Sequence, residues 1–367
     1  MKISRRRLMH AAGAAALVPA PQGRAAEMPP NRFEGPDTPK LCLIAGDGAG
    51  ADAEASARRI KQLGVNHVMA SAGRIPWTED ELKATMDRYR GWGLAVGNIM
   101  ISGFNNAIYA RPGRDEDIEK VIQSVRAAGK AGLPVIEYNW YAHRAMEGYF
   151  EEKDASRAGA GWTGFDYQRM KGLAPLENEG AHTLDEMWAN IAYFLKAVVP
   201  EAEKAGVRLA LHPNDPPAPL SRGSQQIMGT VAGWKKLISI VDSPSNGITF
   251  DCGVTREMGE DPVEVCRYFA SRDRINHVHF RNVKVAKPYE RYSEVFIDEG
   301  ENNMFAVMRE LVRNRYRRLV YPEHPRGLEY DRERPGFHPQ YPGGGGYAAF
   351  AFNVGYARAM MQAALTV

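Results

Sequence analysis

The sequence predicts an α/β protein built as a (β/α)8 barrel of the TIM type. Three observations carry this. Eight short apolar runs of strand length recur along the chain, amphipathic helical stretches separate them, and the fifth to eighth runs each end in a side chain able to bind a metal. The runs are Leu41–Ala45, His67–Ala70, Leu94–Ile101, Pro134–Asn139, Arg208–His212, Gly247–Asp251, Ile275–Phe280 and Leu319–Glu323. They are too continuously apolar for strands with one face in water, which favours a parallel sheet covered on both sides. A doubly wound open sheet is the competing arrangement, but "GDGAGAD" after the first run lacks the glycine spacing of a nucleotide-binding turn.

Between the strands, "EDIEKVIQSVRAAGKAG" and "LDEMWANIAYFLKAVVPEAEKAG" have helical periodicity, with Met187, Ile191, Phe194, Leu195 and Val198 on one face of the second. Both close on Ala-Gly, a helix stop. Two insertions break the rhythm, at 141–182 and at 327–346. The second, "GLEYDRERPGFHPQYPGGGG", reads as a mobile lid or hinge, or else as a flexible surface loop.

The N-terminus reads differently. Ser-Arg-Arg, the weakly apolar stretch Ala11–Val18 and the small residues Ala25 and Ala26 follow one another in the order of a twin-arginine export signal over 1–26. A linker over 27–39 would lead to a single barrel domain over 40–367. This implies the twin-arginine machinery as a partner and a periplasmic or otherwise exported location. The apolar stretch is too short for stable membrane insertion. The formal charge of +3 includes Lys2, Arg5, Arg6, Arg7 and Arg24, so the body is left at about −2. With no basic stripe remaining, nucleic acid is not an expected partner. Cys42, Cys252 and Cys266 are too few for a disulfide framework.

In a barrel of this kind, reactive groups gather where strands end and loops begin. Standing there are Asn139, His212, Asp251 with Cys252, His277 and His279 with Arg281, and Glu323 with His324. Alternation refines the set. In "GITFDC", Ile248 and Phe250 share one face, so Thr249 and Asp251 share the other, and Cys252 turns away at the strand tip. His279 lies nearer the mouth than His277, which reads as a core histidine. The metal set is therefore His212, Asp251, His279 and Glu323. Two imidazoles and two carboxylates suit a divalent ion, Mn²⁺ first, with Mg²⁺, Zn²⁺ or Co²⁺ also compatible.

"RAAGKAGLPVIEYNW", "ALHPNDPP", "ISIVDSPSNGITFDCG", "HVHFRN", "YPEHPRG" and "GYAAFAFNVGYARAM" together resemble the mannonate dehydratase family of xylose-isomerase-like barrels. The resemblance runs from about Arg114 to the C-terminus. It implies a hydro-lyase that dehydrates a sugar acid, D-mannonate, to 2-keto-3-deoxy-D-gluconate, with Mn²⁺ as the favoured metal. It places metal ligands at His212, His279, Glu323 and the 251–252 pair, with Cys252 the alternative to Asp251. It also places an acid/base pair at His324 and Tyr347. Departures from the family pattern occur at Phe250-Asp251-Cys252-Gly253, at Glu323-His324-Pro325-Arg326 and in the loop before Tyr347.

Dehydrating a 2,3-dihydroxy acid means taking a very weakly acidic proton from the carbon beside a carboxylate. That requires charge stabilisation, a base for the C2 proton and an acid for the departing 3-hydroxyl. Arg281 and Asn282, and less directly Asn139, are expected to orient the acid and its hydroxyls. Two other functions fit the same residues: an exported isomerase, epimerase or lyase acting on another sugar, and a non-catalytic periplasmic sugar-acid-binding protein. A homo-oligomer is compatible with the weakly charged body.

Overall fold

The computed structural model describes residues 33–141 and 146–367; the expected signal at 1–26 and the start of the linker lie outside them. In chain order the strands are β1 Lys40–Ile44, β2 His67–Ala70, β3 Ala95–Ile101, β4 Val135–Tyr138, β5 Tyr149–Glu152, β6 Trp162–Asp166, β7 Arg208–Leu211, β8 Asn246–Asp251, β9 Ile275–His279, β10 Val283–Lys287, β11 Arg291–Glu294 and β12 Leu319–Tyr321. β1, β2, β3, β4, β7, β8, β9 and β12 form a closed parallel barrel, sealed where β1 pairs with β12. These are the eight apolar runs, with ends shifted by no more than two residues.

Every residue of β4, β8 and β9 is buried, which only a sheet covered on both faces allows. The covering helices start and stop where the sequence says they should. Helix Leu184–Ala205 begins with a Thr183/Glu186 capping box. It ends on left-handed Gly206 (φ 69°), as helix Arg114–Ala131 ends on Gly132 (φ 83°). The two helices pack closely at Gly129, where a Cβ would lie 2.4 Å from the Ala205 carbonyl oxygen.

A second sheet, antiparallel in the order β10-β11-β6-β5, lies outside the barrel sheet. β5 and β6 come from the 141–182 insertion, and β10 and β11 from the segment after β9 that the sequence analysis left without strands. Phe165 and Tyr292 stack at its centre with ring centroids 4.7 Å apart, and Tyr149 packs against both.

The glycine-rich loop before the last helix (Tyr347–Ala364) is held by several hydrogen bonds in this structure. Gly327 N donates to Gly343 O (2.9 Å) and Gly345 N to Pro325 O (2.8 Å). The Asp331 carboxylate accepts from the backbone N–H groups of Gly346, Ala348 and Ala349 at the helix start. Gly343 is left-handed (φ 74°), and a Cβ there would stand 2.7 Å from the Trp162 carbonyl oxygen. At this position glycine allows close approach as well as the turn. Among the described residues no helix is long and apolar enough to cross a membrane, and all three cysteines are free and buried.

Gly129→Val should separate the two packed helices and cost about 1–3 kcal/mol. Urea unfolding would read this as a lower midpoint at an unchanged slope.

Candidate metal and catalytic site

Strand register builds the centre of the site. β8 pairs with β9 so that Asp251 lies opposite His279, and β12 places Tyr321 on the other side of the same histidine. His279 Nδ1 is 3.2 Å from His212 Nε2, 3.0 Å from Glu323 Oε2 and 3.8 Å from Asp251 Oδ2. His212 donates from Nδ1 to the Pro213 carbonyl (2.7 Å), which leaves its Nε2 lone pair facing this centre. Asp251 caps the following short helix through Oδ1, accepting from Val254 N at 2.9 Å, and presents Oδ2 inward. Cys252 points elsewhere: its thiol donates to the His279 carbonyl (3.1 Å), and burial pushes its pKa up.

Burial raises the Asp251 carboxyl to about 7, against the pull of Arg281. Burial favours a neutral His279, but Glu323, Glu137 and Asp251 outweigh it and raise the ring to about 9. His212, Asp251 and His279 each offer a ligand atom within 4.8 Å of the others, with Glu323 beside His279, and two imidazoles and two carboxylates of this kind suit a divalent ion. Glu137, which the sequence analysis missed, lies behind His279 with Oε1 3.6 Å from Nε2. Thr249 Oγ1 (2.7 Å) and Asn98 Nδ2 (2.9 Å) hold it in place. Its signal was a lone acid inside the apolar run "PVIEYNW". His277 is fully buried, and among the described residues neither ring nitrogen has a hydrogen-bond partner. Burial lowers it to about 3, so the ring is neutral.

Three expectations change. Arg281 is only 2% exposed, and its donors all go to protein carboxylates. Nε lies 3.2 Å from Asp251 and 3.0 Å from Glu323, Nη1 2.6 Å from Glu257, and Nη2 2.9 Å from Asp215. It neutralises and braces the acids rather than orienting substrate. Asn282 is also taken: Nδ2 donates to Ile297 O (3.0 Å), and Oδ1 accepts from the N–H groups of Val283 and Asn302 (both 3.0 Å). It fastens the loop after β11. Tyr347 donates to the Arg59 carbonyl (3.0 Å) instead of meeting the ring of His324. Asn139 remains at the end of β4, its Oδ1 buried and unpartnered among the described residues.

His324 faces a cavity of about 270 Å³ that His212, Asp215, Glu294 and Glu323 also line. Its backbone is left-handed (φ 44°), held by Arg326 Nε and Nη2 donating to its carbonyl at 3.0 and 2.7 Å. The ring donates from Nδ1 to Glu294 Oε2 (3.0 Å). Burial alone would lower its pKa, but Glu294 and Glu323 raise it above the usual histidine value. Glu294, on β11, was missed with its sheet. Tyr341 was missed too. Its ring lies against His324 at 4.8 Å between centroids, and its hydroxyl donates to Pro325 O (3.0 Å). It fills the space a side chain at Gly344 would take, since a Cβ there would lie 2.9 Å from the Tyr341 ring.

Known proteins share the family and the fold. The profile of the D-mannonate dehydratase (UxuA) family matches residues 141–343. A mannonate dehydratase from Lactococcus lactis subsp. cremoris is 27% identical over 333 residues, covering 79% of this chain and 91% of that one. One from Streptococcus equi subsp. zooepidemicus is 30% identical over 253 residues, covering 62% and 69%. Among solved structures, mannonate dehydratase from Streptococcus suis serotype 2 superposes with a TM-score of 0.77 at 25% identity, over 89% of this chain and 95% of that one. A xylose isomerase-like TIM barrel protein from Mycobacterium smegmatis, in complex with magnesium, shares the fold (TM-score 0.58, 13% identity, covering 89% and 98%). A family profile spanning more than half the chain, over the segment that supplies every converging ligand, settles the assignment: this protein belongs to the D-mannonate dehydratase family.

Proposed function

We propose that this hydro-lyase removes water from D-mannonate to give 2-keto-3-deoxy-D-gluconate, with His212, Asp251, His279 and Glu323 holding a divalent ion, Mn²⁺ by preference. The observation that carries this is the convergence of His212, Asp251 and His279, with Glu323 against His279, beside a histidine braced by a carboxylate. When bound, the ion supplies charge stabilisation for the substrate carboxylate and 2-hydroxyl as the C2 proton leaves.

The chain's own groups do the rest. Glu294 holds His324 in one orientation and favours its charged form, so His324 is the acid that protonates the departing 3-hydroxyl. Asp215 lines the same cavity as a carboxylate outside the ligand set, and it is the base for the C2 proton. Tyr149, whose hydroxyl donates to it, and Arg281 fix its position. Tyr341 keeps His324 turned into the cavity. The arginine pair and cleavage-like alanines support reading residues 1–26 as an export signal, which would place the enzyme in the periplasm.

Purified, Mn²⁺-loaded protein should convert D-mannonate to a 2-keto-3-deoxy acid, and EDTA should abolish the activity. No product from protein with stoichiometric metal would reject the assignment. His324→Asn should lower kcat by about 10²- to 10⁴-fold while leaving metal content unchanged. Asp251→Ala should weaken metal binding at least about tenfold and Cys252→Ala should not, as measured by metal analysis after dialysis. The opposite order would make Cys252 the ligand.

A further inference from the structure

The interior of a barrel is ordinarily filled by branched apolar side chains. Behind the ligand cluster of this one stand polar groups instead: Asn98 from β3, Glu137 from β4, Thr249 from β8 and His277 from β9, none with exposed surface. Glu137 is at their centre. The Thr249 hydroxyl (2.7 Å) and the Asn98 amide (2.9 Å) donate to its carboxylate. Among the described residues no lysine or arginine pairs with it, and the cationic groups that act on it are histidines. Burying a carboxylate without a cation is costly, and the chain places two imidazoles here rather than a permanent charge.

The imidazoles present open nitrogens to it. A Glu137 oxygen and one ring nitrogen from each of His277 and His279 all lie within 4.8 Å of one another. His279 turns Nδ1 to the ligand cluster and Nε2 to Glu137, where Nε2 stands 3.6 Å from Oε1. That is too long for a hydrogen bond. It is close to the spacing, roughly 3.3–3.6 Å, of two donors that share a tetrahedral ion at about 2.0–2.2 Å. Nε2 of His279 and both nitrogens of His277 have no hydrogen-bond partner among the described residues, although buried polar atoms are nearly always paired. The two rings meet edge to face, with centroids 5.0 Å apart. Two imidazoles and one carboxylate are a zinc-type donor set. We propose that Glu137, His277 and His279 form a second metal site inside the barrel, for a divalent ion of the zinc class. With both sites filled, His279 gives one nitrogen to each ion, and its remaining N–H proton is released to solvent.

Metal analysis of the full chain, produced in zinc-supplemented culture and dialysed against EDTA, tests this. The cluster at the mouth opens to the cavity and should lose its ion, whereas the sealed interior should keep about one zinc per chain. Asp251→Ala, which touches only the mouth cluster, should keep that zinc. Glu137→Gln should retain at least about tenfold less of it, and so should His277→Phe, which removes both nitrogens while filling the space. Circular dichroism checks the fold of each, and a variant that does not fold leaves the other to decide. A wild-type chain without retained zinc overturns the interior site, as does zinc that survives the interior substitutions or disappears with Asp251→Ala. Turnover of D-mannonate plays no part in this readout, so failure of the dehydratase reading would leave the metal count to stand by itself.

Discussion

Five carboxylates, those of Asp215, Asp251, Glu257, Glu294 and Glu323, surround one buried guanidinium, and the site depends on that balance. Acids gathered at the mouth of a barrel repel one another, and burying them unpaired would cost several kcal/mol each. Arg281 offsets this with a planar fork that reaches several of them at once, which a lysine could not do. The chain makes room for it. Gly253 lies against the guanidinium, and a Cβ there would be 2.7 Å from Cζ. The glycine after Cys252 thus serves the cation, and through it the orientation of two ligand carboxylates. Arg326 adds a second guanidinium at Glu294, and His279 and His324, both raised in pKa by the acids around them, share the load at Glu323.

Two structural layers share the site. The barrel supplies His212, Asp251, His279 and Glu323 from strand ends, where a rigid sheet fixes their spacing. The outer sheet supplies Glu294 and Tyr149, which act on His324 and Asp215. Arg326, fully buried, donates to both the Glu294 carboxylate (2.8 Å) and the His324 carbonyl. It ties the outer sheet to the end of β12, so the strand-end cluster and the carboxylate that braces His324 come from separate parts of the fold.

This division explains what the sequence made legible. Barrel strands declare themselves because both faces are buried, and a strand-end histidine or acid stands out against an apolar run. Alternation in "GITFDC" distinguishes Asp251 from Cys252 because a pleated strand leaves no other choice of face. The outer strands carry no such mark. "YFEE" and "RYSE" are short, half-polar and antiparallel, and their pairing partners lie far along the chain. Glu294 therefore looked like any loop acid. Arg281 was placed on the correct strand end but given to the substrate, because the number of acids facing it depends on tertiary packing. Tyr347 was favoured by resemblance, whereas the turn before it brings Tyr341 onto His324. Four consecutive glycines give no hint of where a neighbouring ring will fall.

The turn before the last helix also shapes the space around His324. Asp331 is almost fully buried and accepts three amide N–H groups at the start of the last helix, a position where a carboxylate also meets the positive end of the helix dipole. It fixes the loop that carries Phe337 and Tyr341, and these line a cavity of about 440 Å³ next to His324 from one side while β1 lines it from the other. Tyr341 rests on the His324 ring, so substitutions in the loop reshape this space and the setting of His324 together.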